Sequence, residues 1–90
     1  MMKGIITVVG KDQVGIIGKV CTLLSENQIN ILDISQTILQ GYFNMMMIVD
    51  LSQSVVAFDQ VVDALEVLGK AIEVDIRLQH EHIFDSMHRI

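Results

Sequence analysis

The sequence predicts an α+β fold in βαββαβ order, with two helices covering one face of a four-stranded antiparallel sheet. Three observations carry this expectation. Apolar residues recur at helical spacing in two separate segments, Ile16–Glu26 and residues 58–68. Apolar and polar residues alternate with the period of a strand over residues 43–51 and 70–79. The dipeptide Gln40-Gly41 separates two strand-like runs, as a hairpin turn does.

Residues 3–9 are dominated by β-branched side chains and read as a buried first strand that ends at Gly10. At 100° per residue, Ile16, Ile17, Val20, Cys21, Leu23 and Leu24 fall within an arc of roughly 160°. Gly18, Lys19, Thr22, Ser25 and Glu26 take the other side, and Asn27 is the expected stop. Residues 29–39 are rich in β-formers but change phase. Ile29 and Ile31 share one parity, whereas Leu32, Ile34 and Ile38 share the other, so a bulge is expected near Leu32-Asp33.

After the turn, Phe43, Met45, Met47, Val49 and Leu51 alternate with Asn44, Met46, Ile48 and Asp50, which makes this the hairpin partner. Ser52-Gln53-Ser54 leads into the second helix, whose apolar face is Phe58, Val61, Val62, Leu65 and Leu68. Gly69 is expected at the left-handed position just past the last turn. Residues 70–79 form the last strand, with Ile72, Val74, Ile76 and Leu78 facing inward against Glu73, Asp75 and Arg77. Right-handed crossovers then place both helices on one side of the sheet, a ferredoxin-like sandwich. The expected division is a domain over residues 1–79 and a short C-terminal tail over 80–90. Ile83, Phe84, Met87 and Ile90 give that tail an apolar stripe, expected to pack on its own subunit or a neighbour.

A chain of 90 residues makes one small domain with a modest core. Apolar residues make up 51%, aromatics only 4%, and the mean hydropathy is +0.50, so the core is built from Ile, Val, Leu and Met. That surplus leans towards a buried subunit interface. A net charge of −5 without basic clusters argues against direct contact with nucleic acid. No apolar run reaches the roughly 18 residues of a spanning helix, and Met1-Met2-Lys3-Gly4 lacks the features of a signal peptide. One cysteine suits a reducing compartment, so the expected location is the cytoplasm.

The most informative stretch is Gly10-Lys11-Asp12-Gln13-Val14-Gly15, a strand–loop–helix junction. The first amides of a helix lack intrahelical partners and sit at the positive end of its dipole, which suits a small anionic or zwitterionic ligand. Asn30, within Ile29-Asn30-Ile31, follows the same helix. Asp12 alone reads as a helix cap and Asn30 alone as a backbone bridge. Their placement at the two ends of one helix, expected to lie on the same rim of the sheet, favours a binding site.

Other chemistries fit less well. Acyl-phosphate hydrolysis needs a guanidinium in the first loop, and no Arg precedes Arg77. RNA binding through the sheet needs exposed aromatics, of which there are few. Cys21 stands alone on an apolar helix face and reads as a small, shielded core residue. His80, Glu81, His82, Asp85 and His88 resemble a metal cluster, but a polar tail readily yields such a grouping, and no metal or other cofactor is expected. In Met45-Met46-Met47, strand alternation sends Met46 away from its neighbours, so packing is favoured over copper binding. No nucleophile–base pair stands out, and the chain does not read as an enzyme.

Gly10-Lys11-Asp12-Gln13-Val14-Gly15-Ile16, followed by Val20, Leu24 and Ile29-Asn30-Ile31 through Gln36, resembles an ACT domain. The resemblance covers about residues 3–79. It is strongest to small stand-alone members related to the glycine cleavage system regulator, and residues 83–90 look like the characteristic tail of that group. What the resemblance implies is a regulatory module binding a small ligand, often an amino acid, at a pairing interface. Carried over by position, Asp12 and the Gln13, Val14 and Gly15 amides face the ligand from one subunit. Asn30 and the Ile31 backbone face it from the other. Serine-responsive members carry Asn where Asp12 stands and His where Gly10 stands; an acid at position 12 favours the ligand's ammonium group. The expected partners are a small ligand, a second copy of the chain and a regulatory protein, with no membrane or direct nucleic acid contact. The alternative is an interaction module that assembles through its sheet edge and tail with no ligand.

Overall fold

In the computed structural model the described residues are 2–82. The elements run β1 (Lys3–Lys11), α1 (Ile16–Glu26), β2 (Asn30–Leu39), β3 (Tyr42–Asp50), α2 (Phe58–Ile72) and β4 (Val74–His80). All strand pairs are antiparallel, in the order β2-β3-β1-β4. This is the expected ferredoxin-like sandwich. The central strands are β1 and β3, and β2 and β4 are the edges.

One face of the sheet carries the core. Ile6 and Val8 of β1, Phe43, Met45, Met47 and Val49 of β3, and Val74, Ile76 and Leu78 of β4 are buried. They join Ile16, Val20 and Leu24 of α1 and Val61, Leu65 and Ile72 of α2 in one cluster. Period-2 alternation in the strands and 3.6-residue periodicity in the helices thus converge on a single layer. Met46, on the other parity, is 42% exposed while Met45 and Met47 are core residues, as alternation requires.

The bulge falls where the phase changed. Ile31 pairs with Val49 and Asp33 with Ile48, leaving Leu32 as the extra residue. After it, Ile34 and Ile38 pair with Met47 and Phe43 and share their side of the sheet. Yet every residue from 32 to 40 is exposed, because β2 runs at the sheet edge, away from the buried cluster.

Several boundaries differ from expectation. The helix α1 does stop at Asn27, whose side-chain amide donates to the Leu23 carbonyl at 2.8 Å. The left-handed residue is the next one, Gln28 at φ 60°. At the other helix, Gly69 does not terminate α2 but lies buried inside it. A Cβ there would stand 2.6 Å from the Val74 carbonyl oxygen, so the missing side chain lets β4 approach the helix. Glu73 takes the left-handed position at φ 59°, and the last strand starts at Val74 rather than at residue 70. The β-branched alternation of residues 70–79 is compatible with both states up to Ile72, and helix packing decides. At its far end β4 reaches His80. The expected tail stripe of Ile83, Phe84, Met87 and Ile90 lies outside the described residues. Among the described residues no helix is long and apolar enough to cross a membrane.

Candidate functional site

The loop between β1 and α1 is set by three contacts. The Asp12 amide donates to the Gly41 carbonyl at 2.8 Å, tying the loop to the β2–β3 hairpin turn. The Gln13 side-chain amide donates to the Ile72 carbonyl at 2.6 Å, anchoring the loop to the last residue of α2. Gly15 is the residue before the helix, at φ 93°, a conformation that glycine adopts without steric cost. Its carbonyl accepts the first helical bond, from Lys19, at 2.9 Å.

No side chain caps α1, and no acidic residue stands in its first turn. The Asp12 carboxylate is therefore not the helix cap. None of the side-chain hydrogen bonds described involves the side chain of Asp12 or Asn30. Asp12, Gln13, Val14 and Gly15 are all exposed, Val14 completely so. The loop thus presents uncapped amides and a carboxylate to the outside.

Asn30 lies elsewhere. It opens β2, exposed, opposite Asp50 in the ladder. Around it is a shallow depression of about 530 Å³ lined by Cys21, Ser25, Gln28, Ile29, Ile31 and Gln53 as well as Asn30. The sequence reading missed Ser25, Gln28 and Gln53, since no spacing signal marks polar residues drawn from three different segments. Cys21 is half-buried: it packs on the core, as its helical face requires, but also reaches this depression. Neighbouring Asp50 accepts bonds from the Ser52 hydroxyl at 2.6 Å and the Ser52 amide at 3.0 Å. Those two bonds, the hydroxyl first, hold its carboxyl below the usual carboxylate range.

The expectation that Asp12 and Asn30 share a rim of the sheet is overturned. Lys11 and Leu39 both pair with Tyr42, at one end of β3, whereas Asn30 pairs with Asp50 at the other. The eight steps between those rungs correspond to roughly 27 Å at strand rise. An α1 of 11 residues carries the chain from one rim to the opposite one, so its two ends cannot meet within a single copy.

Of the three histidines, His80 and His82 lie among the described residues. His80 stacks on Phe58 with centroids 4.0 Å apart and planes 12° from parallel, and His82 stacks on His80 at 5.7 Å. Among the described residues no group of three His, Cys, Asp or Glu is placed to hold a metal. Asp85 and His88 lie outside the described residues.

Comparison with known proteins bears on this geometry. The family model described as ACT domain matches residues 4–79. A UPF0237 protein of Bifidobacterium longum is 60% identical over 90 residues, covering 100% of both chains. Among solved structures, an ACT domain protein from Streptococcus pneumoniae is 43% identical with a TM-score of 0.81, covering 93% of this chain and 94% of that one. The regulatory subunit of aspartate kinase from Thermus thermophilus is 27% identical with a TM-score of 0.65, over 87% of this chain and 50% of its own. A structure described as a glycine cleavage system transcriptional repressor shares the fold at 23% identity and a TM-score of 0.72, covering 88% of this chain and 45% of that one. Neither the matched family model nor the Bifidobacterium longum relative indicates a catalytic family.

Proposed function

This chain belongs to the ACT domain family, and on that premise we propose that it is a non-enzymatic cytoplasmic regulator that binds a small ligand, an amino acid, between two copies of itself. The observation that carries the reading is the separation of the two halves of the site. Loop residues 12–15 sit at one end of β2's neighbour strand and Asn30-Ile31 at the other, so one copy cannot close both around a molecule a few ångströms long.

A two-fold axis through the β2 edge solves this. Two β2 strands running antiparallel bring the start of one beside the end of the other, where the Asp12 loop hangs on the hairpin turn. That edge is also where apolar side chains are left in the open: Leu32 is 41% exposed, Ile34 43%, Ile38 54% and Leu39 68%. In such a pair the ligand carboxylate meets the Val14 and Gly15 amides at the uncapped start of α1. Asp12 stands by its ammonium group, and Asn30 with the Ile31 backbone completes the site from the neighbouring copy. Occupancy would regulate by changing how tightly the copies associate, or what they present to a regulatory protein partner.

The test is calorimetric titration with each of the twenty amino acids, followed by the variants Asp12→Ala and Asn30→Ala. Loss of one charge-assisted bond is expected to weaken binding by about 10- to 150-fold, or 1.5–3 kcal/mol, without loss of folding. Mixing the two variants is the decisive step. A mixed pair regenerates one intact site, so tight binding returns in a fraction of the protein. A site within one copy recovers nothing. Dimers that respond to no amino acid would instead establish the ligand-free assembly module.

A further inference from the structure

We propose that the ligand is an amino acid with a carboxamide side chain, of the glutamine or asparagine kind, selected by Ser25, Gln28 and Gln53. This rests on the two-copy reading of the site proposed above. In that reading the neighbour's loop holds the ligand's carboxylate and ammonium, and the side chain enters the depression beside Asn30.

The depression forms where three segments are tied together. The Gln28 amide donates to the Ser25 carbonyl at 3.1 Å, folding the turn back on the end of α1. The Val55 amide donates to the Asn27 carbonyl at 3.2 Å, bringing the loop after β3 against the same turn. Ser25, Gln28 and Gln53 thereby come to line one hollow of about 530 Å³.

The lining is polar and neutral. Among the described residues that form it none is Asp, Glu, Lys, Arg or His. Glu26, next in sequence to Ser25, lines a separate groove with Gly18 and Thr22. None of the side-chain hydrogen bonds among the described residues engages Ser25, Gln28 or Gln53. One hydroxyl and two carboxamides are therefore open to a ligand.

Side chains of four kinds compete for such a place. A carboxylate would leave water with no cation to meet it, in a chain of net charge −5. It would also approach Asp50, which stands opposite Asn30 and whose carboxyl is held below the usual range. An ammonium or guanidinium finds no carboxylate in the lining, and Asp50 is already engaged by Ser52. An aliphatic chain would displace water and leave the hydroxyl and amides without partners. A carboxamide both donates and accepts, as do Gln28, Gln53 and the Ser25 hydroxyl, so every contact is returned without charge.

Calorimetric titration of the full-length chain with glutamine, glutamate, lysine and methionine tests this. These are unbranched side chains of similar reach that differ in charge and hydrogen bonding. Glutamine is expected to bind about 10- to 100-fold more tightly than the other three. Equal or tighter binding of any of them overturns the carboxamide assignment. The paired site itself survives that result if Asp12→Ala still weakens the binding observed. No response to any amino acid overturns both. Ser25→Ala and Gln53→Leu, at exposed positions, are expected to keep the wild-type denaturation midpoint. Each should shrink the preference for glutamine over methionine by about 10-fold. A preference unchanged in both variants removes these side chains from the selection and overturns the proposal.

Discussion

At Gln13 one side chain helps to hold the loop between β1 and α1. Its amide reaches across 59 positions of sequence to the Ile72 carbonyl, a partner that no local pattern could reveal. Gln13→Ala removes that strut, and the expected cost is about 0.5–1.5 kcal/mol of stability, read from the denaturation midpoint. Faster hydrogen exchange at residues 12–15 should accompany it. Asp50 offers a second test. Its carboxyl is held low by the Ser52 hydroxyl and amide, so its contribution to stability is present at neutral pH and is lost as pH falls through its depressed value. A carboxyl-detected titration is expected to place Asp50 below ordinary aspartates, and Ser52→Ala to move it upward. Residue types at 12, 13, 15 and 30 were legible in the sequence as a polar junction. Which of them cap, brace or stay open was not, because that depends on contacts between distant segments.

At the scale of elements, periodicity named all six and located the bulge to the Leu32-Asp33 pair. Strand ends shifted by a residue, and the larger error, between α2 and β4, has a physical reason. Residues 69–72 suit helix and strand alike, and the glycine that looked like a stop is the place where β4 crosses close to the helix. Gly69→Ala puts a methyl group against the Val74 carbonyl, 2.6 Å away, and is expected to cost about 1–3 kcal/mol through overpacking. A chemical denaturation curve with unchanged slope and a lower midpoint would bear this out; an unchanged midpoint would mean that β4 can retreat. The β2 edge was legible as a strand but not as an edge. Sequence alternation says which side chains share a face, not whether a helix covers that face.

Across the whole molecule, part of the surplus of apolar residues over core positions lies along β2, where Leu32, Ile34, Ile38 and Leu39 are exposed. A stable pair needs about 1,200 Å² or more of buried surface. Sedimentation at tens of micromolar is expected to show a species of twice the 10.1 kDa chain mass. Replacing Ile34 and Ile38, which are 43% and 54% exposed, by Lys should yield folded single chains that no longer bind the ligand. Single chains that still bind it at full strength would detach the site from the pairing. The opposite rims of Asp12 and Asn30 were the point on which sequence reasoning failed, since it knew the order of elements but not their direction across the sheet.

The two borders of the sheet are not alike, and this bears on how large an assembly can grow. Along β2 only Asp33 carries a charge, and the strand is otherwise Ser, Thr, Gln, Asn and aliphatic. On β4, Asp75 and Arg77 point outward within a seven-residue strand, and Glu73 precedes it. Joining two copies through like borders satisfies both sticky ones at once and leaves a charged border at each extremity. Growth into a filament would need those charged borders to accept strands too. In the proposed pairing, this difference between the two borders would act as a counting device that stops addition at two.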